Sequence, residues 1–86
     1  MVNLIVEHRW KNRDKESAFK VVGEIVEMAK NGKLPEGYAL QSIQVIGAEN
    51  MALCNWEAPG KEEMKGLLKQ VNPPTKHEVY EAQKSF

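Results

Sequence analysis

The sequence predicts one α+β domain whose elements run βαββαβ. Three observations predict it. Four short stretches are rich in β-branched and aromatic residues and alternate with polar ones. Two longer stretches repeat apolar residues at helical spacing. Turn residues fall between them, at Asn31-Gly32, Gly47 to Asn50 and Pro59-Gly60. A chain of 86 residues suffices for one domain, taken as 1–86, and not for two.

The first strand is read over residues 2–10. Val2, Leu4, Val6, His8 and Trp10 lie on one face, and Asn3, Ile5, Glu7 and Arg9 on the other. Both faces carry apolar residues, so the face that meets the helices is left open. A helix follows over about 13–30. Ala18, Val22, Ile25 and Ala29 form its stripe, widened by Phe19 and Val26. Asn12 or Asp14 is the candidate N-cap, accepting a free N–H of the first turn. Gly23 costs about 1 kcal/mol against Ala inside a helix and is a candidate for close packing on the sheet. Asn31-Gly32 supplies a left-handed C-cap, and Pro35 blocks continuation.

The second strand is read over 38–46 and the third over 51–57, joined at Gly47-Ala48-Glu49-Asn50, where Gly and Asn tolerate positive φ. A second helix covers about 60–71, with Met64, Leu67, Leu68 and Val71 as its stripe. Asn72-Pro73-Pro74 ends it, since proline cannot extend the hydrogen-bond ladder. The last strand is read over 76–83. Two right-handed βαβ halves then give a four-stranded antiparallel sheet of order 4-1-3-2 with both helices on one face, a ferredoxin-like plait.

Composition narrows the function. Twelve basic residues balance twelve acidic ones, which argues against a nucleic-acid binder and against a polybasic membrane anchor. The Lys61, Lys65 and Lys69 row is interleaved with Glu62 and Glu63 and reads as a solvated face. No apolar run approaches the roughly 18 residues of a membrane span, and residues 1–7 lack signal-peptide features. The lone Cys54 permits no internal disulfide and fits a reducing cytoplasm, the expected location. In a strand interior it is expected to be buried and inert. No Gly-rich phosphate loop, Cys-x-x-Cys loop or RNA-recognition signature is present.

A domain this small buries only about 60–65% of its unfolded surface. The sheet face away from the helices keeps large apolar residues in either parity, among them Trp10, Trp56, Tyr80 or Leu53. A two-fold homodimer that packs the two sheets face to face is therefore expected.

The chain resembles the dimeric α+β barrel superfamily, on its element order and on the run Ala52-Leu53-Cys54-Asn55-Trp56-Glu57-Ala58-Pro59 before an acidic helix start. That run, with the Trp10-Lys11 strand end, is similar to small uncharacterised families, one member of which is described as nickel-binding. The superfamily also includes antibiotic-biosynthesis monooxygenases and muconolactone isomerases. The resemblance implies the fold and the dimer. No metal-ligand set matches residue by residue.

His8 and His77 are the only histidines. Strand four is expected antiparallel to strand one, which places them at one end of the sheet. Strand three is expected parallel to strand one, which would bring Glu57 there too. Two imidazoles and a carboxylate suit nickel, zinc or non-haem iron, or a proton-transfer pair. His8, Trp10, Glu57 and His77 are the candidate ligand-binding residues, with His8 and His77 the candidate ligands of nickel or zinc. Trp10, Trp56 and Tyr80 either line an aromatic pocket or fill the dimer core. Three functions remain open: a dimer that binds a small molecule or transition metal, a cofactor-free monooxygenase- or isomerase-like enzyme on a small hydrophobic substrate, and a structural assembly module.

Overall fold

Alternation decides which side of each strand is buried. In the computed structural model, which describes residues 1–71 and 75–83, β1 (Val2–Arg9) buries Leu4, Val6 and His8, and Trp10 just beyond it. β3 (Met51–Ala58) buries Ala52, Cys54, Trp56 and Ala58 in the same way. Leu4, Val6, Cys54, Trp56 and Ala58 meet Ile25 of α1 (Lys15–Lys30), Met64, Leu67 and Leu68 of α2 (Lys61–Val71), and Val79 of β4 (Lys76–Ala82) in one core, while Trp10 and Ala52 pack with Ala18 of α1 in a second, smaller cluster. The parity that the sequence left open is thereby settled: Trp10 and Trp56 lie under the helices. The opposite face carries Ile5, Met51, Leu53 and Tyr80.

The sheet has order β2-β3-β1-β4, with β2 spanning Ala39–Ile46. Every neighbouring pair is antiparallel. This is the ferredoxin-like βαββαβ plait. Each predicted element is present within two residues of its expected bounds, α1 being preceded by a 3-10 turn at Asn12–Asp14. β2 carries a register shift between Leu40 and Ser42, so Gln41 is the extra residue.

Three local readings can be compared with the structure. The α1 C-terminus closes as a Schellman motif: Lys33 N–H donates to Met28 C=O at 2.9 Å and Gly32 N–H to Ala29 C=O at 3.4 Å, with Gly32 at φ 66°. The expected N-cap is absent. Asp14 makes no side-chain capping bond, and Asn12 Oδ1 instead accepts from Asn50 Nδ2 at 2.8 Å. Asn50 is the positive-φ residue that reverses the chain between β2 and β3, so Asn12 is engaged by the turn rather than the helix. Gly23 is exposed and has open space around it, which corrects the close packing expected there. The helix stop at Asn72-Pro73-Pro74 lies outside the described residues.

Candidate functional site

The end of β1 is built by three elements. Strand register sets His8 between Ala52 of β3 and His77 of β4. Ala52 is small, which leaves room for the imidazole on the helix side of the sheet. His8 is only 4% exposed. Its Nδ1 lies 3.0 Å from the Thr75 hydroxyl oxygen, and its ring centre is 6.2 Å from that of His77. Burial lowers its pKa to about 4, with a smaller contribution from the neighbouring His77. His8 is therefore a neutral imidazole at pH 7. His77 is exposed.

Trp10 follows. Its backbone N–H donates to Asn50 C=O at 3.1 Å, tying the strand end to the β2–β3 turn. Its side chain packs with Ala18 and Ala52 and meets the Phe19 ring edge-on, at 5.7 Å between centres and 74° between planes. A cleft of about 420 Å³ opens beside it. Arg9, Lys11, Arg13, Thr75 and Lys76 form the rest of its wall, with Asp14. Thr75 thus links the cleft to His8: its residue lines the one and its hydroxyl bonds the other.

Glu57 does not join this group. β3 runs antiparallel to β1, so Glu57 pairs with Asn3 at the far end of the strand, while His8 pairs with Ala52. The hairpin between β2 and β3 reverses the chain after a right-handed crossover has already made β1 and β2 parallel, which leaves β3 antiparallel to β1. Glu57 also lies on the open face, where its Oε1 accepts from Gln41 Nε2 at 2.8 Å. The expected convergence of His8, Glu57 and His77 is therefore corrected to the pair His8 and His77.

That pair does not make a nickel or zinc centre on its own. Structural zinc takes four ligands and catalytic zinc three from the protein. Among the described residues, no group of three or more His, Cys, Asp or Glu side chains is placed to hold a metal ion. Cys54 is buried at the Val6 position of the register, and burial pushes its thiol up to about 11. A protonated, enclosed thiol is a poor ligand and a poor nucleophile.

Apolar side chains from both layers interlock between sheet and helices. Leu4, Val6, Cys54 and Met64 are the largest fully enclosed side chains. The cleft beside Trp10 lies at the end of the sheet; grooves of about 560, 480 and 360 Å³ open elsewhere on the surface. Arg9, Lys11, Arg13, Thr75 and Lys76 were not among the candidate ligand-binding residues read from sequence. Three cations around a tryptophan at a strand end were a legible signal; the arrival of Thr75 and Lys76 depends on β1–β4 register.

Among the described residues, no helix is long and apolar enough to cross a membrane. Compared with protein-family models, curated proteins and solved structures, the chain has no significant match.

Proposed function

We propose that the chain is a homodimeric small-molecule-binding protein of the α+β barrel type, with one ligand cleft per subunit at the Trp10 end of the sheet. The observation that carries the reading is the cleft itself. Its volume of about 420 Å³ lies within the roughly 300–1,000 Å³ of small-molecule sites. Its lining combines the exposed part of Trp10 with several charged side chains, and its Thr75 side is braced by a buried, neutral histidine.

The dimer rests on the open sheet face. Ile5, Met51 and Leu53 are half-buried on it, interleaved with Glu7, Gln44 and Asn55, and Ile46 and Tyr80 are 39% and 50% exposed. Two pairs of polar groups at one end of this face are already bonded within the sheet. Asn55 Nδ2 donates to Ser42 Oγ at 2.8 Å, and Gln41 Nε2 donates to Glu57. Covering them with a second sheet therefore strands few unpaired donors. A second copy offers the same apolar side chains, and two-fold symmetry closes the assembly.

An NMR screen of small organic fragments against the full chain tests the ligand reading. Binders are expected to shift the backbone amides of Arg9, Trp10, Lys11 and Lys76. Binders that map instead to the open sheet face, or a screen with none at the cleft, would overturn it.

A further inference from the structure

We propose that the ligand taken by the Trp10 cleft is a small organic anion, a carboxylate or phosphate ester with a compact apolar body; the inference rests on the ligand reading above. Charge at the cleft departs from that of the whole molecule. The chain is neutral overall, yet the cleft wall carries four cations, Arg9, Lys11, Arg13 and Lys76, against the single carboxylate of Asp14.

Local carboxylates engage the two arginines and leave the two lysines. Arg9 Nε is held by Glu7 at 2.8 Å, and Arg13 Nε lies 3.8 Å from Asp14. Among the described residues, neither Lys11 nor Lys76 has a carboxylate within 4.0 Å. Register adds a second argument. Arg9 and Lys76 are direct cross-strand partners, and like charges set opposite one another repel. Glu7 and Glu78, two positions along on the same face, are also a like-charged pair. The Glu7–Arg9 contact relieves part of the repulsion, and an anion bound in the cleft would relieve more of it. The guanidinium and ammonium donors suit carboxylate or phosphate oxygens. The aliphatic stems of the long cationic side chains, with the small exposed part of Trp10, supply the surface for an apolar body.

The test uses three probes of closely similar shape on the full-length chain: benzoate, phenyl phosphate and benzamide. Amide shifts are followed by NMR at low and at raised salt. Benzoate or phenyl phosphate is expected to shift Arg9, Trp10, Lys11 and Lys76, and to bind at least tenfold more tightly than benzamide. That preference is expected to shrink with added sodium chloride and in the double variant Lys11→Gln/Lys76→Gln. Both substitutions fall on exposed residues, and an unchanged circular dichroism spectrum establishes that the variant is folded. Equal binding of benzamide and benzoate at the cleft would overturn the anion preference and leave the ligand site standing. Cleft binding by other neutral fragments, with none of the three probes binding there, would also overturn the anion class alone. No binder of any kind at the cleft would overturn both.

Discussion

His8 Nδ1 and the Thr75 hydroxyl oxygen meet at 3.0 Å although 67 positions separate the two residues. The contact sits where β1 ends and β4 begins, and it holds a histidine that is almost wholly enclosed. The unfolded chain protonates this imidazole near 6.5, the folded chain only near 4. Between these values the unfolded state binds the extra proton, so stability falls as pH falls. It is fully present above about 6.5 and declines through about 4. Near pH 5 the loss is about 2 kcal/mol, rising to about 3 kcal/mol below the folded value. Urea unfolding at pH 7.5 and pH 5 should show that difference. His8→Leu keeps an apolar side chain of similar size and should remove most of it. Carboxylates titrating in both chains cancel in the comparison, and an equal pH dependence in the variant would assign the effect elsewhere.

The plait was legible because each element keeps its own period over enough residues: Leu4, Val6 and His8 along a strand, Met64, Leu67 and Leu68 along a helix. What was not legible came from relations between elements. Ile5 on one face and Leu4 on the other gave β1 two plausible inner sides. Only the position of α1 and α2 over the sheet decides between them. Glu57 was misplaced by a wrong strand direction, not by a wrong strand. The cleft needs Thr75 and Lys76 beside Arg9 and Trp10, a consequence of β1–β4 register that local pattern does not contain. Asn12 illustrates the same limit: its side chain had a local use as a cap and took a distant partner in Asn50.

Two histidines without a third protein ligand should hold divalent metal weakly. Calorimetric titration of the metal-stripped chain with nickel or zinc at pH 7.5 is expected to give no site tighter than about 10 µM, an affinity of roughly −7 kcal/mol. Binding tighter than this at pH 7.5, weakened at pH 5.5 and lost in His77→Ala, would restore a metal centre at the pair. Its remaining donors would then have to come from outside the described group. His77 is the informative position because it is exposed and its loss leaves the core intact.

Leu53 sits at the centre of the open sheet face, between Glu7 of β1 and Gln44 of β2 in register. Leu53→Lys would place a charge in the proposed two-fold interface without touching the core under the helices. Sedimentation equilibrium is expected to show about twice the 9.8 kDa chain mass for the parent and the monomer mass for the variant. The dissociated variant should also unfold at lower denaturant concentration, since dimerisation stabilises by mass action. A parent that sediments at 9.8 kDa at high micromolar concentration would remove the dimer from the proposal.

Gly23 in α1 and Gly66 in α2 are exposed, and a β-carbon built at either would meet no atom within 4 Å. Neither has a positive φ. Replacing each by alanine therefore adds no clash and removes the backbone entropy that glycine loses on entering a helix. Gly23→Ala and Gly66→Ala should each stabilise by about 0.5–1 kcal/mol. The helices are different, so the double variant should gain close to the sum. Gly37 is the contrasting case. It has φ 89°, and a β-carbon there would approach Pro59 Cγ at 3.2 Å. Gly37→Ala should lose stability where the helix glycines gain it, because alanine is strained at that φ whatever the proline does. Thermal unfolding of the three single variants separates the two classes by sign. A gain at Gly37, or losses at both helix positions, would contradict the backbone geometry from which the expectation is drawn.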